Sequence, residues 1–407
     1  MTGSDSVQIP QYVKNVLNCL KNGGYEGYMV GGCVRDSIMG CTPNDYDITT
    51  NATPEEMLIC FEGWRVIPTG LKHGTVTVIS DGNNIEVTTY RVDGEYEDNR
   101  HPRQVTFTSR LEDDLARRDF TVNAMAMDAE GNICDPFGGM ADIRNRVMRS
   151  VGDSSVRFGE DGLRILRCLR FASVLGFEIE GDTAEKVHHC RHLLDNISKE
   201  RIMTELKKLL CGMSAPRICS EFGDVICQIL PELSEAYDGE EISVRLDRAY
   251  IDIYVRLALL LLPLGADGAG RALRRLKCDN MTYDRVKLLI SEADLPENTD
   301  RITLKKYLSR MDGDSFVMLT HFVSAIDGKD RSVLRHMSDK IVASGECVSI
   351  PQLAVSGSDI ITLGAVGVQI GEILKKLLDS VICETLPNSK DLLLDKAKEL
   401  LDKLGNV

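Results

Sequence analysis

Residues 28–50 read YMVGGCVRDSIMGCTPNDYDITT. An apolar strand runs into Gly31-Gly32, a short amphipathic helix carries Arg35 and Asp36, and Thr42-Pro43-Asn44 marks a turn. A second strand is expected to carry Asp45 and Asp47. Side chains at i and i+2 of a strand point the same way. The two carboxylates are therefore expected to share one or two divalent cations, beside a phosphate held by the diglycine turn and Arg35. A D-x-D alone is usually solvated charge on a sheet edge. Joined to a diglycine and an arginine three residues on, it favours metal-dependent nucleotidyl transfer, which needs a phosphate cradle, a cation clamp and little else.

Upstream, Val13, Val16, Leu17 and Leu20 recur at helical spacing, so residues 11–22 are expected to form a helix ending at Gly23-Gly24. Downstream, Thr53-Pro54-Glu55-Glu56 opens another helix. Thr75–Ile79 and Ile85–Tyr90 read as a hairpin turning at Asp81 to Asn84. With Ile85 and Val87 facing a core, Glu86 faces the other way. It is either a third carboxylate beside Asp45 and Asp47 or a polar residue on an open sheet face. His73, before Gly74, reads as a structural residue at the hairpin end. Residues 91–110 are polar and punctuated by glycine and proline, which predicts a mobile loop and a candidate lid. In LEDDLARRDFTVNAMAMD, Asp119 and Asn123 stand at i and i+4. On a helix they either bracket a ribose hydroxyl or belong to a salt-bridged helix start.

From Arg157 onward the periodicity is helical. Leu163, Leu166 and Leu169 form an apolar stripe, while Asp161 and Arg164 at i and i+3 share another face. Ile197–Leu210 predicts a long helix with Ser198 as its cap. Helices separated by loops follow to the end.

At 407 residues the chain has room for two or three domains. Its net charge of −14 excludes indiscriminate nucleic-acid binding. Local clusters at Arg144 to Arg170 and Arg271 to Lys277 would either hold RNA or form solvated helix faces. The 13 cysteines include no C-x-x-C pair and read as reduced, mostly buried thiols of a cytoplasmic protein. The N-terminal residues lack the layout of a signal peptide. Leu257–Leu264 is too short to span a bilayer and contains Pro263, so no membrane association is expected.

Several motifs in order carry a resemblance: GGCVRDSIMG with NDYDITTNATPEE, HGTVTV with IEVTTYR, RRDFTVNAMAMD, DPFGG, EDGLRILRCLRFASVLGF and ISKERIMTELKKLL. Together they resemble the class II tRNA nucleotidyltransferases, the CCA-adding enzymes, and the related bacterial poly(A) polymerases. The resemblance is dense from about residue 10 to 210. It implies an α+β fold, with a polymerase-β-like nucleotidyltransferase head (1–143) of mixed β-sheet and helices. A helical neck (144–213) carrying the nucleobase-selecting motif would follow, then an all-helical body and tail (214–407) that binds tRNA.

Carried over by position, the resemblance assigns Asp45 and Asp47 to catalytic Mg²⁺, with Glu86 as a candidate third carboxylate, and Gly31, Gly32 and Arg35 to the triphosphate. Arg118, Asp119 and Asn123 fall in the motif for ribose and phosphates. Glu160, Asp161 and Arg164 occupy the E-D-x-x-R motif for the base, and Arg167 extends it. Chemistry agrees: an aspartate only accepts and an arginine only donates hydrogen bonds. Asp161 on an exocyclic amine and Arg164 on a ring nitrogen would accept C or A and refuse U or G. The implied activity is addition of CCA to the tRNA 3′ end, at the acceptor arm, from CTP and ATP. Partial CC or A addition, poly(A) synthesis and a catalytically silent RNA-binding module are the alternatives. Leu262 and Pro263 stand where many relatives place a metal-binding His-Asp pair, so no phosphohydrolase activity is expected.

Overall fold

The computed structural model describes residues 8–68, 70–94 and 105–404. The chain forms two compact units, residues 1–239 with 275–277 and residues 240–274 with 278–407. In the first unit the helices are α1 (Gln11–Asn22), α2 (Gly32–Ile38), α3 (Pro54–Cys60), α4 (Leu111–Ala116), α5 (Gly139–Asn145), α6 (Ser154–Glu160), α7 (Leu163–Leu175), α8 (Gly181–Cys190), α9 (Lys199–Leu210), α10 (Ala215–Glu221) and α11 (Gly223–Ile229). The strands are β1 (Gly27–Val30), β2 (Asp47–Thr50), β3 (Arg65–Ile67), β4 (Thr75–Ser80), β5 (Asn83–Thr89), β6 (Arg91–Asp93), β7 (Val105–Phe107), β8 (Ala126–Met127), β9 (Ile133–Cys134), β10 (Val147–Met148) and β11 (Glu178–Ile179), the last two forming a small parallel pair.

Seven strands form a mixed sheet in the order β3-β4-β5-β2-β1-β8-β9, with β2 and β5 parallel and the other pairs antiparallel. Strand β4 alternates strictly between buried and half-buried positions. Val76, Val78, Ile85 and Val87 are fully buried, as are the α1 residues Val13, Val16 and Leu20, and α1 packs on β4 and β1. Each such side chain contributes roughly 1.5–3 kcal/mol when removed from water. The β4–β5 hairpin turns on Asp81 and Gly82 alone, with φ of 48° and 79°, the backbone of a two-residue turn matched to strand twist. Thr53 and Glu56 close a capping box at the start of α3.

Several expectations need correction. Only Asp47 lies on β2; Asp45 precedes it. The ladder stops there because β1 pairs Val30 with Asp47 and then leaves the sheet at Gly31. Asp119 and Asn123 are not on an α-helix; Asn123 ends a 3₁₀ turn, Thr121–Asn123, and Asp119 precedes it. Asp161 breaks the helical run, its extended backbone (φ −141°, ψ 103°) separating α6 from α7. Ser198 stands before α9 without a side-chain cap bond. Of the 13 cysteines, all free, only Cys33, Cys168, Cys190 and Cys219 are buried, and Cys41 is exposed.

The arginine-rich stretches are also largely neutralised within the protein. Arg149, Arg157, Arg164, Arg167 and Arg170 all pair with carboxylates, as do Arg275 and Lys277. Arg144 and Arg146 remain exposed. The short ribbon β6–β7 flanks residues 95–104, and the lid expected there lies outside the described residues.

In the second unit the described residues form helices. Ile253–Leu261 packs against Asn280–Ser291 and Gly313–Asp327. A separate cluster of Ile360, Ile373, Leu377, Leu393 and Ala397 closes the C-terminal end. The helical run Ile253–Arg275 reaches 23 residues and is long and apolar enough to cross a membrane by composition, which the eight-residue reading did not anticipate. Val255 and Leu257 to Leu261 are nevertheless fully buried in protein. The compact units divide at residue 239, and within the first of them side chains of α7 bond directly to the sheet region, as described next.

Candidate functional site

The end of β1, the turn into α2 and the start of β2 and β5 meet at one edge of the sheet. Register places Glu86 directly beside Asp47, and neighbours in register share a face. Tyr46 is buried against Tyr12, ring centres 5.9 Å apart, while Asp45 and Asp47 on either side are exposed. Asp45 therefore keeps the orientation expected of i and i+2, although it lies outside the strand. The protein packed around one side of the Asp47 carboxyl, then the charges of Asp45 and Glu86, push it up to about 6; Arg118 acts in the opposite sense.

Gly31 has φ 78° and ψ −135°, and a Cβ there would lie 3.2 Å from Arg118 Nη1. Glycine is thus required twice, for its backbone and for the approach of the arginine. Gly31→Ala is expected to lower stability by about 2 kcal/mol and to displace Arg118. Thermal unfolding together with KM for CTP checks both effects.

Arg118 is held by Asp114, which is fully buried on α4 and also accepts bonds from Arg117 and from the Thr49 hydroxyl. Burial raises the Asp114 carboxyl, but the two guanidinium groups outweigh it and hold it below the usual range. Asp114 is a site residue that the sequence reading missed. Its signal was present in the spacing: two arginines at i+3 and i+4 of one carboxylate.

Arg35 has a different setting from the one expected. It is buried, donates to Asp36 through Nε and Nη2, and donates to Asn123 Oδ1 at 2.7 Å. Asn123 donates in turn to Asp119 Oδ1 at 3.2 Å. Asp119 Oδ2 accepts two bonds, 2.9 and 2.6 Å, from Arg167 on α7. Asp119 and Asn123 are thus side by side, as anticipated, in a chain running from α2 to α7. Burial alone would raise the Asp119 carboxyl, but Arg167 and the Asn123 amide hold it at about 2. Arg35, Arg167 and Arg170 surround Phe171, with guanidinium carbons 5.1, 5.3 and 3.7 Å from its ring centre.

Asp161 and Arg164 do not pair with each other through their side chains. Arg164 bonds Glu160 and the Arg157 carbonyl through Nη1 and reaches the Arg117 carbonyl through Nη2 at 3.0 Å. Asp161 accepts from the Leu163 amide and, at 2.7 Å, from Arg201 on α9. Arg201 is a second residue missed in the sequence, since forty positions separate the partners. Three bonds leave two of the five Arg164 N–H groups, and each Asp161 oxygen retains a lone pair. Both side chains keep the capacity to read a base.

The donor set fits a divalent cation shared with substrate. Desolvation, and then the charges of Asp45 and Glu86, raise Asp47, a penalty that a bound dication relieves. Among the described residues no group of three or more His, Cys, Asp or Glu side chains is placed to hold a metal ion by itself, so water and phosphate would complete the coordination.

Comparison with known proteins gives the same reading. A family profile described as the poly(A) polymerase head domain matches residues 27–149, and one for the RNA and SrmB-binding site of polymerase A matches 176–223. A profile for domain 2 of tRNA nucleotidyltransferases matches residues 255–397. The CCA-adding enzyme of Geobacillus stearothermophilus is 39% identical over 385 residues, covering 91% of each chain. That of Ligilactobacillus salivarius is 32% identical, covering 95% of this chain and 96% of the relative. The crystal structure of the Bacillus stearothermophilus CCA-adding enzyme in complex with CTP superposes with a TM-score of 0.83. It is 31% identical and covers 98% of this chain and all of its own. The chain belongs to the CCA-adding enzyme family of tRNA nucleotidyltransferases.

Proposed function

We propose that this protein adds C, C and A in turn to the 3′ end of tRNA from CTP and ATP, releasing pyrophosphate, with Mg²⁺ as the divalent ion. The observation that carries the reading is the bond from Arg164 to the Arg117 carbonyl, which ties the base-selecting segment to the carboxylate edge within one compact unit. Asp45, Asp47 and Glu86 supply the charge that holds the cation. When bound, the ion supplies Lewis-acid activation of the attacking hydroxyl and the phosphate oxygens. Arg118, presented by Asp114 at the diglycine turn, faces the triphosphate and offsets its charge. Asp119 and Asn123 orient the ribose. The tRNA acceptor arm is held by helices beyond residue 144, chiefly through backbone and shape. Its place of action is the cytoplasm, and the division into head, neck, and body with tail follows residues 1–143, 144–213 and 214–407.

Selection of C and A over U and G follows from Asp161 as acceptor and Arg164 as donor. A wrong base sets donor against donor or acceptor against acceptor, at about 2–5 kcal/mol per unmet charged group, or at least about 30-fold in kcat/KM. The test extends tRNA transcripts ending before CCA, after CC, or in an unrelated sequence, each with single nucleotides. C then A addition on tRNA alone is expected. UTP or GTP incorporation near the CTP rate sinks the Asp161 and Arg164 assignment, and A-tailing of any RNA indicates poly(A) synthesis. Arg164→Ala is expected to lower CTP and ATP use while narrowing their margin over UTP.

A further inference from the structure

Away from the carboxylate edge, Cys19 on α1 and Cys60, the last residue of α3, stand with their sulfurs 3.9 Å apart. Each thiol also reaches the backbone carbonyl of the other residue at 3.3 Å. Both are half-buried and line a groove of about 530 Å³ with Asn15, Asn18, Gly23 and Trp64. A Cβ on Gly23 would lie 2.9 Å from Cys60 Sγ, so glycine leaves the sulfurs room to move. The pair takes no part in the network from Arg35 to Arg167.

We propose that Cys19 and Cys60 are a modification site for peroxides, closing a reversible disulfide that tethers α1 to the helix following the Asp47 strand. The sulfurs need to approach from 3.9 Å to about 2.05 Å, which is side-chain rotation within the groove. Burial and then the nearby Cys19 push the Cys60 thiol up to about 11; either sulfur can take the first step, and the chemistry is the same with Cys19 leading. The Cys19 thiolate attacks one peroxide oxygen, the O–O bond breaks, and the departing oxygen takes a proton to leave as water. The sulfenic acid on Cys19 is then attacked by the Cys60 sulfur, which loses its proton as the S–O bond breaks and a second water departs. Two thiols and one hydrogen peroxide thus give one disulfide and two waters, and a dithiol reductant reverses the change.

The test treats the full-length protein with equimolar hydrogen peroxide, alkylates the remaining thiols and maps tryptic peptides without reduction. The expected product links residues 15–21 to residues 36–65, two hydrogens lighter than the separate peptides. Cys41 shares the second peptide, so fragmentation, or Cys41→Ser, assigns the link to Cys60. Trp64, the single tryptophan, changes emission with the same time course. The melting temperature rises by several degrees as a 41-residue separation is closed, and dithiothreitol restores both signals. Cys19→Ser and Cys60→Ser lose all three responses. The proposal is overturned if Cys19 and Cys60 stay open to alkylation while Cys41 oxidises, or if the link runs through Cys41. Should the serine variants misfold, peptide mapping of the unsubstituted chain decides alone.

Discussion

Asp47→Asn is expected to lower kcat for CTP addition by at least about 100-fold, the scale of losing a single transition-state charge contact, and to raise the melting temperature at pH 7. The two effects have one cause. Asp47 is partly desolvated, stands beside Glu86 in register and lies near Asp45, so its ionised form, the one proposed to hold the cation, is disfavoured when the cation is absent. Its carboxyl is pushed up to about 6 from an ordinary 3.8, and ionisation is therefore easier in the unfolded chain. The resulting destabilisation is absent below pH ~4, grows as pH rises towards 6 and is complete above it. Because the side chain is open to solvent, the gain in the variant is modest, roughly 1–3 °C. Differential scanning calorimetry without metal, repeated at pH 4, 6 and 8, reads it, and labelled CTP reads the activity. Added Mg²⁺ with CTP should then stabilise the unsubstituted protein more than the variant. Retention of kcat within threefold would remove Asp47 from the catalytic set.

Arg167→Ala carries the largest expected stability loss. Asp119 is buried, and Arg167 supplies two of its bonds. Removing the arginine leaves a buried charge whose remaining side-chain hydrogen bonds among the described residues come from the Asn123 amide and the Phe120 N–H, with Arg164 acting at longer range. Breaking such a pair costs about 3–5 kcal/mol; the partial exposure of Arg167 places this case near 3. The sign with pH is opposite to that of Asp47. The Asp119 carboxyl is held down at about 2, so the stability it confers is fully present above pH ~4 and is lost as pH falls through 2. Urea unfolding should show the gap between the two proteins wide at pH 7 and closing between pH 4 and 2. A gap unchanged by pH would mean that packing of Arg167 on Phe171, rather than its charge, is what the substitution removes.

Much of this arrangement is legible locally. The α1 boundaries, the Thr53–Glu56 capping box and the β4–β5 hairpin follow from periodicity, capping chemistry and an Asp-Gly turn, each set within a few residues. Glu86 was readable only as one of two options. Its place beside Asp47 depends on a parallel pairing across thirty-nine positions, which neither strand encodes by itself. Arg35 stands three residues from the diglycine, and the fold adds internal partners, Asn123 and the Phe171 ring, to the phosphate role expected of it. Asp161 and Arg164 at i and i+3 suggested one helical face. The extended backbone at Asp161 separates them, so each takes a partner from elsewhere, Arg201 and Glu160.

The opening stretch, with its diglycine, arginine and D-x-D, was sufficient to indicate phosphoryl chemistry, because the chemical types and their order lie within one turn of chain. The E-D-x-x-R segment, through its family resemblance, is what proposes Asp161 and Arg164 as base-reading groups. The folded chain alone settled which charges meet. Asp114 locks Arg118 at Gly31, Arg167 holds Asp119, Arg201 holds Asp161, and Asp47 is raised by desolvation and then by carboxylates from its own segment and from β5. Those outcomes depend on distance and desolvation between segments far apart in sequence, and Coulomb energies at a few ångströms have no signature in local pattern.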